Sequence, residues 1–354
     1  MEKIKIAIIG CGGIARNAHI KAYLELNRFE IVAACDIRPE RAEQFAKEFG
    51  IPAFYTDYHD VLKLEGLEAV DICTPNYLHS IIAVDALNAG LNVLCEKPDA
   101  INPDEAEKMK VAAEKNGKLL MVIRNNRFMA QSQYLKQYIE AGKLGQIYAA
   151  RCGWQRRRGV PGRGGWFTTK AESGGGPLID LGVHMIDLSI WLMGNPRPVA
   201  VSGTSYSVFA NNEGAASARH VAESRDGTFD VEDLAMGFIR FDNGACLQIE
   251  FSWASNIKQD DKFFELRGTL AGAEMHSKEG GELRIYTEEL GKTVDVIPQF
   301  GTKIRHGHVG NIENFADALQ GRAEPVFQVQ QGIDMIKILC AIYESAKTGK
   351  EVLL

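Results

Sequence analysis

The chain lacks most of the features that would take it out of a reducing aqueous compartment. Within its 354 residues no apolar run is long enough to cross a bilayer. The apolar part of Met1-Glu-Lys-Ile-Lys-Ile-Ala-Ile-Ile-Gly10 is too short for a signal-peptide core and runs straight into folded sequence. The seven cysteines (Cys11, Cys35, Cys73, Cys95, Cys152, Cys246 and Cys340) are odd in number and form no Cys-x-x-Cys pair. Neither a zinc knuckle nor a disulfide framework fits that spacing. There is no basic excess: the formal net charge is -6, so nucleic acid is not an expected partner. Repeats and low-complexity segments are missing too. The expectation is a cytoplasmic chain with no membrane, nucleic-acid or metal partner.

What is present is an ordinary globular mixture, 45% hydrophobic and 24% charged, of a length that suits two domains. Short β-rich runs at Lys5–Ile9, Glu30–Cys35, Ala69–Cys73, Asn92–Cys95 and Leu119–Ile123 alternate with helical stretches at Ile14–Leu26, Pro39–Phe49, His79–Ala89 and Pro103–Asn116. Continuous apolar strands separated by helices predict a doubly wound parallel sheet covered on both faces. After Asn125 the rhythm changes. A helical run at Gln131–Ala141, a long Gly/Arg-rich segment and an apolar helix near Leu178–Met193 come first. Strand-like runs at Ala200–Tyr206, Leu234–Phe241, Cys246–Ser252, Phe263–Gly268 and Leu283–Thr287 then follow without helices, which predicts a largely antiparallel sheet. Helical patterns return at Val309–Leu319 and Gln330–Thr348. The reading is α/β throughout, with one domain at residues 1–124 and a second at 125–354.

Gly10-Cys-Gly12-Gly13-Ile14-Ala15 follows a predicted strand and opens a predicted helix. The first glycine permits a tight turn, the second lets the backbone approach a pyrophosphate, and small Ala15 allows close helix–strand packing. The helix start adds N–H donors and a positive dipole end. In Asp36-Ile37-Arg38 the aspartate ends the second strand, where a carboxylate bonds the ribose hydroxyls of NAD and repels the phosphate of NADP. Arg38 pulls the other way, so NAD is expected and NADP is the weaker alternative. Two more strand ends face the same crevice: Thr74-Pro75-Asn76, with His79 opening the next helix, and Glu96-Lys97-Pro98.

Lys97 is the first catalytic candidate, an ammonium able to stabilise alkoxide-like charge on a substrate oxygen. A second constellation is Ser173-Gly-Gly-Gly-Pro-Leu-Ile-Asp180-Leu-Gly-Val-His184-Met-Ile-Asp187. Asp180, His184 and Asp187 line one face of a helix that is otherwise apolar, so the stripe faces a cavity, a partner group or a strip of solvent. His184 suits a general base, with Asp180 orienting it or binding the hydroxyl.

Taken in order, Gly10-x-Gly-Gly-Ile-Ala15, Thr74-Pro-Asn76-x-x-His79, Glu96-Lys97-Pro98 and Gly174-Gly-Gly176-x-x-x-Asp180-x-Gly-x-His184 closely resemble the glucose–fructose oxidoreductase / inositol dehydrogenase / rhizopine catabolism family. The ending Ala341-Ile-Tyr-Glu-Ser-Ala-Lys-Thr-Gly349 resembles that family's ending as well. The resemblance implies a Rossmann domain plus an α/β domain with a large open sheet, homodimers or homotetramers, and a carbohydrate or polyol substrate. It also implies that Lys97, Asp180 and His184 match the family's catalytic trio. Asn126 and Arg127 match a stretch that reaches the active site, Asn126 toward the cofactor and Arg127 toward substrate. His184 makes the chain look more like the inositol dehydrogenase branch than the glucose–fructose enzymes. The segment Trp154-Gln-Arg156-Arg-Arg158-Gly-Val-Pro-Gly-Arg163-Gly-Gly-Trp166-Phe167 departs from the general pattern, and every charged residue from Arg151 to Lys170 is basic. Trp154, Arg156 and Trp166 are its candidates to reach substrate, as flat apolar walls and an anion binder, with the other arginines in surface or subunit contacts.

The function expected is an NAD-dependent dehydrogenase moving a hydride between nicotinamide and a hydroxyl-bearing carbon of a sugar, polyol or derivative. Two rivals stand beside it. A redox-assisted glycosidase that recycles NAD would use the same trio, whereas a non-catalytic sugar sensor would have lost it.

Overall fold

In a computed structural model of the chain, residues 3–216, 227–301 and 306–354 are described. They fall into two compact units, Met1–Phe128 with Arg305–Ile336, and Met129–Ile304 with Lys337–Leu354.

The first unit is built on six parallel strands: β1 (Ile4–Ile9), β2 (Phe29–Cys35), β3 (Phe54–Tyr55), β4 (Ala69–Ile72), β5 (Asn92–Cys95) and β6 (Leu120–Val122). Their order is β3-β2-β1-β4-β5-β6, with a reversal between β1 and β4. That is the Rossmann arrangement, and ligands of such sheets bind outside the carboxyl ends at the reversal. β4 and β6 are buried at every residue, as a sheet covered on both faces requires. Local chemistry fixes the helix limits. Helix Pro103–Asn116 has Asn102 accepting from the Glu105 N–H, proline in its first turn, and Gly117 closing it with φ +59°.

The same unit takes in helix Gly307–Leu319 and the start of helix Val329–Thr348. Several bonds secure them. Arg28 donates to Asp317 (2.7 Å) and Gln320 (2.5 Å), and the Arg124 N–H donates to Asn311 Oδ1 (2.7 Å). Arg127 Nη1 donates to the Val326 carbonyl and to Gln331, each at 2.9 Å.

The second unit carries nine strands: β7 (Ile147–Gln155), β8 (Pro198–Tyr206), β9 (Leu234–Phe241), β10 (Cys246–Ser252), β11 (Asp261–Gly268), β12 (Gly272–His276), β13 (Leu283–Glu289), β14 (Lys292–Val296) and β15 (Val352–Leu353). Their order is β14-β13-β12-β11-β7-β10-β9-β8-β15. β7 and β10 run parallel and every other neighbouring pair is antiparallel. Ala150, Cys152 and Trp154 of β7 share a face with Leu247, Ile249 and Phe251 of β10, and this face receives the helix Val183–Leu192. The nine strands exceed the five legible in sequence. The Gly/Arg-rich segment expected between the helices contains β7, the strand nearest the middle of the sheet. Among the described residues no helix is long and apolar enough to cross a membrane.

Candidate active site

At the carboxyl end of β1, Gly10 adopts φ +99°, and a Cβ there would lie 2.6 Å from the Cys73 carbonyl carbon and oxygen. Only glycine lets the two strand ends approach so closely. Gly12 opens onto clear space, with nothing within 4 Å of an added Cβ, and Gly13 meets only the Asn17 amide at 3.9 Å. Ile14 is 39% exposed and Ala15 is fully buried. The chain then enters a π-helical turn, Ala15–His19, continued by helix Ile20–Leu26.

Asp36 is positioned by accepting the Cys11 N–H (3.1 Å) and the Arg38 N–H (3.0 Å), with Arg41 Nη1 at 3.6 Å. Ile37 beside it is 82% exposed, an apolar side chain left open at the edge of the turn. Across the reversal, Thr74 Oγ1 is buried without a hydrogen-bond partner among the described residues. Asn76 is buried as well. These features fit a dinucleotide: an uncluttered glycine turn, a held carboxylate at the second strand end and an orphaned hydroxyl just past β4. Replacing Asp36 by serine is expected to raise the KM for NAD about tenfold or more, the weight of a lost charge-assisted bond. Use of NADP should rise relative to NAD, with Arg38 and Arg41 at hand. Steady-state kinetics with both cofactors checks this.

His79 and Arg127 sit where the motifs placed them, but their polar atoms are occupied. His79 is fully buried, with Nδ1 2.7 Å from the Pro98 carbonyl and Nε2 2.9 Å from that of Thr74. It lies between the two strand-end loops, and burial lowers its proton affinity, so a single N–H serves one of the two carbonyls. Arg127 is 1% exposed and ties the end of the β6 segment to Val326 and Gln331. Asn126 is 5% exposed next to it.

Around Lys97 the structure assembles a buried polar network that the sequence did not announce. Its neighbour Glu96 is 5% exposed and accepts the Lys97 N–H at Oε2 (3.0 Å). Glu96 Oε1 lies 2.8 Å from His19 Nε2 and 3.4 Å from His308 Nε2. His19 Nδ1 lies 2.7 Å from Asp71 Oδ2, which also accepts from Tyr23 (2.8 Å). Burial opposes charge on Glu96, but hydrogen bonds from His19 and His308 outweigh it and hold the carboxyl well below the usual range.

In the second unit, Asp180 and His184 lie on one continuous helical segment, a π-helical turn Leu178–Gly182 running into helix Val183–Leu192. Insertions of this kind often mark functional sites. Along these fifteen residues only Asp180, His184 and Ile190 escape burial. Asp187, expected on the same stripe, is instead 4% exposed. The Trp253 indole N–H donates to Asp180 Oδ2 (3.1 Å), and the Trp154 ring lies 6.2 Å from the His184 ring. Trp154 is flanked by Arg156 (5.1 Å to the ring centre) and Lys262 (4.8 Å). Burial pushes the Lys262 ammonium down to about 8.

Trp166 stacks on Phe167 at 3.9 Å. Arg157, Arg158 and Arg163 bond loop carbonyls and a side chain at Lys258, Ser255, Asn256 and Ala210, so these contacts are loop braces within the chain rather than the surface or subunit ion pairs expected of them. The triple glycine has a packing cause. A Cβ on Gly175 would meet Tyr343 Oη at 2.0 Å, and one on Gly176 the Glu232 carbonyl at 2.0 Å.

Glu232, absent from the sequence reading, accepts from Gly176 N (2.9 Å), Leu178 N (3.1 Å) and Tyr343 Oη (2.9 Å) and so anchors the start of the helical segment. Burial raises its carboxyl above the usual range. Tyr343→Phe removes one of these donors and should cost about 1–3 kcal/mol of stability at pH 7. Because a raised carboxyl pKa favours the protonated form in the fold, the loss should shrink as pH falls and Glu232 takes a proton. Denaturant melts of both proteins at pH 7 and pH 5 test the sign.

A sheet in Rossmann order with a glycine turn and a held carboxylate at the second strand end has the features of a dinucleotide-binding domain, and the second unit carries a helix presenting Asp180 and His184 beside an indole. Two family models match: residues 4–124 as "Oxidoreductase family, NAD-binding Rossmann fold" and 136–354 as "Oxidoreductase family, C-terminal alpha/beta domain". The chain belongs to this Gfo/Idh/MocA oxidoreductase family and is an NAD-binding oxidoreductase. It is 34% identical over 350 residues to the D-glucoside 3-dehydrogenase of Escherichia coli (strain K12), covering 99% of this chain and 97% of that one. It is 30% identical over 303 residues to the levoglucosan dehydrogenase of Pseudarthrobacter phenanthrenivorans, covering 80% and 76%. The solved structure of a levoglucosan dehydrogenase in complex with NADH and levoglucosan superimposes with a TM-score of 0.89 at 24% identity, covering 99% of each chain.

Proposed function

We propose that this protein is a dehydrogenase of a secondary hydroxyl on a glucose-derived sugar, with C3 of a glucoside as the leading position. The observation that carries the reading is the helical segment Leu178–Leu192, where Asp180 and His184 are the two polar residues that escape burial and His184 lies beside Trp154. A buried apolar helix keeps such a pair only where polar chemistry is required. The similarity to the D-glucoside 3-dehydrogenase over nearly the full length of both chains supports the substrate class.

NAD, when bound, supplies the hydride acceptor, and the Gly10–Ala15 turn, Asp36 and the Thr74–Asn76 loop are the residues that would hold it. His184 takes the hydroxyl proton, and Asp180, itself steadied by the Trp253 N–H, orients the hydroxyl or the imidazole. Lys97 places a positive charge against the oxygen as it becomes negative. Trp154 gives the sugar ring a flat apolar wall, with Arg156 at its rim. We also propose that the enzyme works as a cytoplasmic homodimer or homotetramer. The seven cysteines are free, and Met236 is 37% exposed on the sheet face opposite the helix. Light scattering on eluting enzyme gives the oligomer directly.

The primary test follows absorbance at 340 nm with NAD and a panel of methyl glucosides, free aldoses, inositols and uronic acids. Oxidation of glucosides with a 3-keto product bears the reading out. A preference for inositols overturns the substrate class, and release of the aglycone without net NADH moves the assignment to redox-assisted glycoside cleavage.

A further inference from the structure

The network behind Lys97 has no part in the reading above, yet its geometry is demanding. Asp71 on β4 and Glu96 just past β5 come from adjacent strands and are 0% and 5% exposed. His19, itself 0% exposed, stands between them with a carboxylate oxygen within 2.8 Å of each ring nitrogen. An imidazole satisfies acceptors at both nitrogens only when both carry protons. Removing it leaves two buried carboxylates facing each other, which is far costlier than losing an exposed pair. Tyr23, Cys73 and His308 complete the shell, at 2.8 Å from Asp71, 3.6 Å from His19 Nδ1 and 3.4 Å from Glu96, and His306 meets His308 at 3.2 Å. Burial alone would strip the His19 proton, but Asp71 and then Cys73 outweigh it and keep the imidazolium well above the usual histidine range.

The network ends at the backbone of Lys97. Glu96 Oε1 is held by His19, and Oε2 of the same carboxylate accepts the Lys97 N–H. On the other side of the lysine, His79 Nδ1 takes the Pro98 carbonyl. The backbone of Lys97 and Pro98 is therefore held at its start by Glu96, itself held by His19, and at its end by His79.

We infer that His19 is a positioning residue: through Glu96 it fixes the backbone from which Lys97 projects, and so sets where the lysine's charge stands. The inference rests on the role proposed for Lys97. A displacement of about 1 Å at a reacting group can cost about a hundredfold in rate.

The test uses the full-length enzyme with NAD and methyl β-glucoside, or whichever panel member it oxidises fastest, unlabelled and deuterated at the oxidised carbon. For His19→Asn, kcat per NAD-binding site should fall about 10- to 100-fold, with the KM for sugar and the NAD dissociation constant within about threefold. The primary isotope effect should increase, because the chemical step slows. Deuterium exchange in the peptide covering residues 93–101 should speed up in the variant, an outcome that needs no substrate. Glu96→Gln, which keeps an acceptor for the Lys97 N–H but lacks the charge that calls for an imidazolium, should show the same signs. His19→Asn combined with Glu96→Gln should be no worse than either single change, as for two residues acting through one contact.

A His19→Asn enzyme with a lower melting temperature but unchanged kcat, isotope effect and loop exchange would make His19 purely structural and overturn the inference. If that variant does not fold, Glu96→Gln with wild-type values overturns it equally. Lys97→Ala is measured alongside. Should it keep wild-type turnover, the reading of Lys97 falls and this inference with it, whereas an impaired Lys97→Ala beside an unimpaired His19→Asn sinks the inference alone.

Discussion

Lys97→Ala is expected to lower kcat by about 10²–10³-fold, the loss seen when one preorganised donor to a developing oxyanion is removed. The side chain leaves from the end of β5, whose four residues sit in the interior of a parallel sheet, so the backbone beneath it is rigid. Neither the glycine turn nor the Asp36 carboxylate contacts this position through any bond described above, so NAD affinity, read by quenching of protein fluorescence, should change less than threefold. The loss should fall on kcat and on kcat/KM alike, as for an interaction made chiefly in the transition state. Lys97→Arg should recover little, because a planar guanidinium places its charge elsewhere than a compact ammonium. Equal losses in NAD affinity and turnover would instead mark Lys97 as a cofactor anchor.

His184→Ala should cost about 10²–10⁴-fold in turnover, the range for a general base in proton transfer. The expectation depends on the helix persisting, and the packing favours that. Met185, Ile186, Leu188 and Leu192 around it are at most 1% exposed, and Glu232 holds the segment's start, so the substitution at this accessible position leaves the core in place. Added imidazole should restore part of the activity, since the vacated space adjoins Trp154 and a diffusible base can enter it. A variant that folds, binds NAD and turns over at the parental rate would be decisive against His184 as base. Asp180→Asn should give a smaller loss, because the amide still meets the Trp253 N–H at one atom.

How much of this could be read in advance depends on how local each signal is. The strand-turn-helix at Ile4–Leu26, the Asp36 strand end and the apolar helix with its two accessible polar residues are written in contiguous sequence, and periodicity suffices for them. Strand β7 is not. Its sequence, Ile-Tyr-Ala-Ala-Arg-Cys-Gly-Trp-Gln, mixes a glycine and an arginine into the pattern. Gly153 is needed because a Cβ would strike the Phe263 ring at 2.5 Å, and Arg151 pairs with Glu265 of β11. Both reasons lie more than a hundred positions away. The pairing of Lys262 with Trp154 is likewise a matter of register between β11 and β7, although the alternation Lys262, Phe264, Leu266 hints at a lysine on a covered face. The His19–Asp71–Glu96–His308 network joins four distant stretches, and no single-chain pattern couples them. Both π-helical turns are invisible to a 3.6-residue period for the opposite reason: they are small local departures that packing selects.

The first unit's second passage, helix Gly307–Leu319 with the opening turns of helix Val329–Thr348, bears on how the molecule is made. Synthesis delivers the six parallel strands early, but Arg28, Arg124 and Arg127 wait for Asp317, Asn311 and Val326, and Glu96 waits for His308. The nucleotide-binding half is thus begun first on the ribosome but completed only after eight of the nine strands of the other sheet have emerged. Until then the Arg28 and Arg127 side chains and the Arg124 N–H lack these partners, which makes the nascent amino-terminal half a natural client for chaperones and a poor candidate for expression by itself.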